Sequence, residues 1–371
     1  MLNGIIIEER LGMHLTINEL YSSFKEIFYN HIIDNGELDH SGCFKIISDT
    51  ITNVTQKFSD EDFYFPILAN GLGNEVIDLG IASILPKDDI FSQLESKFGD
   101  YIIDHANEFC DSQLYPYEHL LKITIRNCSK ERRKQLSKQL ANFVVGIIQI
   151  FSEHYCIDPD ILALSTNPYP NYKNFHITNN SEGYNYSFSS KGRIAFSSEF
   201  WKKFKQDNNF DLGEVIKQII IHAANPKKNP LIVDRLIDAI YIFRSAMHDN
   251  DDSSRIIKMT TALERLVNTH KENVSATFRK RVVILLEMYH KGGNDWNKVA
   301  REMYQFRSSI VHGSWSLYRQ VEPLYIKKYS ELTSKAILSA CIGFFQVGLK
   351  REDDAKLIDS FYDHLSKNDD S

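Results

Sequence analysis

Two side chains near the end of one stretch have the types and the spacing to do chemistry: Arg307 and His312, in Arg307-Ser308-Ser309-Ile310-Val311-His312-Gly313. An imidazole gains and loses its proton near neutral pH, so it serves as a general acid or base. A guanidinium is planar and permanently charged, and it pairs with a developing oxyanion through two parallel hydrogen bonds. Five residues of ideal helix turn through about 140°. The two side chains would not share a face on a straight helix, and a break at Gly313 would swing His312 round. The same residues also have a purely structural reading, in which Arg307 pairs with Glu264 and the His312 ring bonds the last helix carbonyls.

Other constellations carry less. His248-Asp249-Asn250-Asp251-Asp252 lacks the glycine and terminal Glu of a calcium loop and reads as a solvated connection. Gly71-Leu72-Gly73 has neither a third glycine nor a phosphate-cradling helix and reads as a turn. Of two basic clusters, Arg126 with Lys130, Arg132, Arg133, Lys134 and Lys138 reads as a solvated face. The other, Arg279, Lys280 and Arg281, precedes the motif helix, where charge alone would guide a phosphate backbone toward the site.

The elements that must position Arg307 and His312 are helical. After Pro230 apolar residues recur with a helix period: Ile232, Leu236, Ile240, Phe243 and Met247, then Ile256, Met259, Leu263 and Leu266. A third helix carries Phe278, Val282, Leu285 and Tyr289 ahead of Gly292-Gly293. The fourth carries Val299, Met303, Phe306 and Ile310 and ends at Gly313, and two more are expected near 325–349 and 353–366. Amphipathic helices with short connections pack as a bundle.

Upstream the pattern mixes types. Leu121, Ile123 and Ile125 alternate with polar residues as in a half-buried strand, and Val76–Ile81 is a weaker strand. Tyr184, Tyr186 and Phe188 alternate up to Ser189-Ser190-Lys191-Gly192, and Ile194 and Phe196 resume the alternation, which predicts a hairpin turning at that point. Ser129–Phe151 opens with a capping-type Ser and Glu131 and reads as a long helix. The fold class is therefore α+β, with a mixed α/β region over 1–225 and an all-α bundle over 230–371. The two prolines of Asn225-Pro226-Lys227-Lys228-Asn229-Pro230 mark the boundary, although one large domain stays open.

Composition narrows the function classes. With 43% hydrophobic and 25% charged residues the chain is an ordinary globular sequence rather than a disordered one. Five scattered cysteines with no zinc spacing point to a reducing compartment, and no signal peptide precedes Glu9, so a cytoplasmic location is expected. The apolar runs Phe143–Phe151 and Ala336–Leu349 are too short and too interrupted to span a membrane. A net charge of −6 leaves nucleic-acid contact to local patches.

The run RSSIVHG resembles the signature of HEPN-type helical domains, and in particular their Apea-like branch: a helix with a Tyr, then Arg-Ser, then a Val-His-Gly stop. An upstream helix carrying Ala-Leu-Glu, here Ala262-Leu263-Glu264, belongs to the same pattern. The likeness covers about residues 230–350, and no motif is recognised in 1–225. It implies a homodimeric bundle that joins two copies of Arg307 and His312 in one cleft. In many members this is an endoribonuclease that needs neither metal nor other cofactor and serves as a toxin or in anti-phage defence. His312 would then be the acid/base, Arg307 the transition-state clamp and Glu264 its support, with the N-terminal region sensing a trigger or partner. Many active members place Asn or Asp directly after the Arg, where this chain has Ser308. The alternative is a catalytically silent module that dimerises or binds a partner.

Overall fold

The alternation around Leu121, Ile123 and Ile125 is the centre of a small antiparallel sheet in the computed structural model, which describes residues 11–36, 38–69, 71–98, 100–112, 116–155, 171–180, 183–191, 198–225, 229–249, 251–269, 274–290, 295–316 and 319–368. Among the described residues a 3-10 turn over Leu11–Met13 leads into a helical hairpin, α1 (Ile17–Asn35) and α2 (His40–Thr55). Strands β1 (Ser59–Ile67), β2 (Ile77–Asp78) and β3 (Ala82–Pro86) follow, then α3 (Lys87–Phe98), α4 (Asp100–Asp111) and β4 (His119–Cys128). The strand order is β1-β4-β3-β2, with β4 pairing Ile123 to Phe63 on one side and to Ala82 on the other. Leu121, Ile123 and Ile125 are buried, as the alternation requires.

Helix α5 (Lys130–His154) packs on β4 and buries Phe143 through Phe151. Its capping differs from the expectation. Ser129 makes no side-chain cap; its Oγ donates to Glu19 Oε2 at 2.5 Å, and Glu19 Oε1 accepts the Glu131 amide at 3.1 Å. A carboxylate from α1 thus satisfies one of the orphan amides of α5 and places negative charge at the helix's positive end. These hydrogen bonds hold the Glu19 carboxyl below its ordinary range against the opposing effect of burial.

Strands β5 (Asn171–Asn180) and β6 (Gly183–Lys191) form a separate antiparallel pair. Here the predicted hairpin is corrected. Tyr184, Tyr186 and Phe188 do lie in a strand, but they pair backward with Asn179, Ile177 and Phe175, so the reversal falls between Asn180 and Gly183. The stretch with Ile194 and Phe196 lies outside the described residues. Helices α6 (Ser198–Asn208) and α7 (Asp211–Ala224) come next.

Among the described residues six further helices follow Pro230 where the 3.6 period places them: α8 (Ile232–Met247), α9 (Asp252–Val267), α10 (Val274–Tyr289), α11 (Trp296–Val311), α12 (Pro323–Val347) and α13 (Ala355–Asn368). The stripe residues Leu236, Ile240 and Phe243 are at most 1% exposed. The architecture is mostly helical with one small four-stranded sheet, hence α+β. The buried core does not stop at the Pro226–Pro230 segment, because α5 packs on both α8 and α12 and its apolar side chains join theirs in one cluster. Among the described residues no helix is long and apolar enough to cross a membrane.

Polar contacts cross the same seam, among them Arg244 Nη2 donating to Asn142 Oδ1 at 2.8 Å and Ser330 Oγ to Glu153 Oε2 at 2.9 Å. His154 at the end of α5 and His290 after α10 stand with ring centroids 5.2 Å apart. Burial pushes both imidazoles down, reinforced for His290 by His154 and for both by Lys335, and takes His290 to about 4 against the weaker pull of a Lys335 backbone hydrogen bond and Glu331; Asp207 and Glu331 oppose the shift of His154. Because the folded value lies below the unfolded one of about 6.5, folding favours the neutral ring. The stabilisation is complete above pH 6.5 and is lost as pH falls toward 4. Urea unfolding at pH 7 and pH 5 should therefore show wild type losing about 1 kcal/mol more than His290→Asn, a figure discounted for the partial exposure of the ring. Equal losses in the two proteins would refute the assignment.

Candidate functional site

The motif helix α11 starts at Asp295, whose side chain accepts the Lys298 amide at 3.0 Å, and buries Trp296, Ala300, Met303 and Ile310. Its far end is where sequence placed the break. His312 is the C-cap, with its amide bonded to the Ser308 carbonyl at 2.9 Å, and Gly313 follows at φ +75°, a conformation that costs a side-chain-bearing residue about 1 kcal/mol or more. The chain then folds back. The Trp315 amide donates to the Ser309 carbonyl at 3.0 Å, and the indole packs edge-on against Phe306 with Arg319 over its face at 4.3 Å.

Arg307 leaves the apolar stripe half-buried and meets Glu264 of α9, Nη2 to Oε2, at 3.7 Å. That distance is long for a charge-assisted hydrogen bond. Burial pushes the Glu264 carboxyl up, while Arg307 and a hydrogen bond from the Tyr304 hydroxyl pull it down. The same contact, with burial, raises Tyr304. The buried Nε–H of Arg307 finds no acceptor among the described residues. The site thus offers a guanidinium held from one side by a carboxylate, with hydrogen-bonding capacity unspent.

His312 is exposed, and its ring makes no hydrogen bond or ion pair among the described residues. No hydrogen bond joins it to Arg307 within one chain. Ser308 is half-buried, and its carbonyl is taken up in closing the helix.

The expected basic path is split. Arg279 and Lys280 are exposed on α10, but Arg281 is withdrawn into the structure: Nη2 donates to Asp359 Oδ1 at 2.5 Å, Nη1 to the Val267 carbonyl at 2.7 Å, and the guanidinium lies 4.8 Å from the Tyr362 ring. Its charge fastens α13 to the bundle rather than facing a nucleic acid. In the other basic cluster Arg133 is buried on Glu61 and the Cys128 carbonyl, leaving Arg126, Lys130, Lys134 and Lys138 exposed. The loop before α9 is structural, with Asp251 capping the helix through the Ser254 amide and Asp249 bonded to Lys258. Among the described residues no group of three or more His, Cys, Asp or Glu is placed to hold a metal ion.

Tyr304 is the site residue that the sequence reading did not single out. It lies three positions before Arg307, where an i, i+3 relation puts the two side chains on one face. No family model, curated protein or solved structure matches the chain, so a function has to be argued from these residues.

Proposed function

We propose that the chain is an endoribonuclease of HEPN type that works without a metal ion and acts as a homodimer through its helical bundle, in a toxin or anti-phage role. The observation that carries the reading is a half-buried Arg307, steered by Glu264 and with an unspent N–H, five residues ahead of an exposed His312 at a left-handed helix break. In the proposed reaction an imidazole takes the proton of a ribose 2′-hydroxyl, whose oxygen attacks the adjacent phosphorus. The bond to the 5′-oxygen breaks as an imidazolium returns a proton to it, leaving a 2′,3′-cyclic phosphate and a 5′-hydroxyl. Arg307 pairs with the phosphoryl oxygens as their charge builds. Two-fold pairing of the bundles supplies two imidazoles, one for each proton transfer. The region 1–225 then restrains or triggers the site, and α5 is its physical link to the bundle.

A second reading, a silent dimerisation or partner-binding module, draws on the same Arg307–Glu264 contact, since a carboxylate already partly satisfies the guanidinium. It also draws on Ser308, a shorter polar group than the Asn or Asp of many active members.

The two readings separate in one assay. A mixed tRNA and mRNA pool is incubated in EDTA with purified wild type and with His312→Ala and resolved on denaturing gels. Wild type is expected to cut and His312→Ala to leave the pool intact. No cleavage by either protein favours the silent module, and equal cleavage by both removes His312 from the mechanism.

A further inference from the structure

Withdrawn guanidinium groups in this fold are matched by carboxylates: Arg133 meets Glu61, Arg235 meets Asp353 and Arg281 meets Asp359. Arg244 of α8 is built differently. Its half-buried guanidinium lies against α5, where Nη2 donates to Asn142 Oδ1 at 2.8 Å. Among the described residues Nη1 finds no acceptor, and no carboxylate pairs with the group. Burial pushes Arg244 down to about 10, so it stays charged at neutral pH. A cation drawn out of water calls for a counter-charge, and the described chain supplies none here.

Arg244 stands at the end of a basic row. Lys130, Lys134, Lys138, Asn142 and Gly146 follow one another at four-residue intervals and form one ridge of α5, roughly 18 Å long from Lys130 to Asn142. The three lysines are exposed. Helix α8 crosses the ridge at Gly146, where an added methyl group would stand 3.0 Å from Arg244 Cβ, and the guanidinium reaches Asn142 and continues the row. The carboxylates Glu19, Glu26 and Glu131 gather with Lys57 and Lys130 around a hollow at the outer end, and Glu131 also takes a bond from Lys134 at 3.1 Å. The positive excess therefore grows toward Lys138 and Arg244.

An open aromatic ring adjoins that inner end. Tyr241 precedes Arg244 by three residues on the same face of α8 and is 61% exposed. Lysines in a row and a guanidinium pair with successive phosphates, and an exposed ring lets a base stack on it, which together suit a single strand. A duplex keeps its bases stacked on one another and has none to lay on Tyr241.

We propose that the α5 ridge from Lys130 to Lys138, with Arg244 and Tyr241 of α8, binds the phosphate backbone and a base of single-stranded nucleic acid, a phosphate being the counter-ion that Arg244 lacks. This surface shares no residue with the Arg307–His312 motif, and it stands whether or not that motif cuts RNA.

The test is fluorescence anisotropy of a labelled single strand with the full-length protein in EDTA. Two arms use one sequence, as 2′-O-methyl RNA, which has no free 2′-hydroxyl to attack with, and as DNA. Wild type is expected to bind, and the tighter arm names the natural ligand. Lys134→Ala with Lys138→Ala is expected to weaken binding about tenfold and to flatten the slope of log K against log salt by about 1.4, two contacts at about 0.7 each. Its Tm is expected to match wild type, because both side chains are exposed. Tyr241→Ala is expected to weaken binding at least about fivefold through the lost stack. Lys202→Ala with Lys356→Ala removes the same charge at exposed positions of α6 and α13 and is expected to bind as wild type does. Equal weakening by the two lysine pairs overturns the ridge, since the field of the whole molecule would then carry the binding. So does undiminished binding by Lys134→Ala with Lys138→Ala, or a duplex bound as tightly as either strand. A wild type that holds neither strand overturns it too, and if that protein sediments with phosphatidylserine vesicles the basic row belongs to a lipid surface.

Discussion

Replacing Arg307 by Ala is expected to lower kcat for RNA cleavage by about 10²–10³-fold while leaving the melting temperature nearly unchanged. The rate effect follows from losing a preformed donor pair at the phosphoryl oxygens, where such groups are worth about 2.7–4 kcal/mol. The stability effect is small for a local reason. The contact that is lost is a long one, 3.7 Å, and burial already disfavours the Glu264 charge, so little stabilisation goes with the guanidinium. Tyr304 remains to hydrogen-bond the carboxyl. Arg307→Lys separates charge from shape, because it keeps the positive charge and loses the planar fork. It should recover less than a tenth of the lost rate. Single-turnover cleavage of one RNA by the three proteins, with Tm measured alongside, checks both statements. A Lys variant at wild-type rate would mean that Arg307 acts only as a point charge.

The largest stability effect is expected far from the motif. Arg235 is 5% exposed, and its Nε donates to Asp353 Oδ1 at 2.5 Å while Nη1 serves the carbonyls of Arg265 and Asn268 at 3.0 and 2.9 Å. Arg235→Ala strands a buried carboxylate and two carbonyls at once, and breaking such a pair from one side costs about 3–5 kcal/mol. Arg265, 3.5 Å from the other Asp353 oxygen, offsets part of this. A net loss of about 3 kcal/mol is expected from a total that is typically 5–15. Urea unfolding should show it as a lower midpoint with an unchanged slope. Arg235→Met with Asp353→Leu should be more stable than Arg235→Ala, since the charge left behind is removed as well. If the double variant is no better than the single one, the cost lies in the orphaned carbonyls rather than in the charge.

How much of this was legible in the sequence depended on whether one element's own residues decided the outcome. Helices α8 to α13 were readable because each buries one stripe, as Leu236, Ile240 and Phe243 do, and the period survives in the text. Helix α1 was not, because apolar residues on more than one side blur the stripe, and the exposed Tyr21, Tyr29 and Ile33 are part of that blur. Strand β6 was readable as alternation, but its partner was not, since a strand on either side along the chain satisfies the same pleat. At the site, the helix break at Gly313 and the nearness of Glu264 to Arg307 followed from residue types and order. The withdrawal of Arg281 did not, because its partner Asp359 lies 78 residues along the chain.

The Arg235–Asp353 pair also sets an order of events. Asp353 and its neighbours close over the start of α8, with the Ile232 amide bonded to the Arg351 carbonyl and the Asp353 amide to the Pro230 carbonyl. The anion that neutralises α8 is encoded 118 residues after the cation. During translation at about 5–20 residues per second, α8 therefore waits roughly 6–24 s for its counter-charge. The motif helix leaves the ribosome inside that interval, on a bundle not yet closed, so any activity that needs the finished bundle is withheld from the nascent chain.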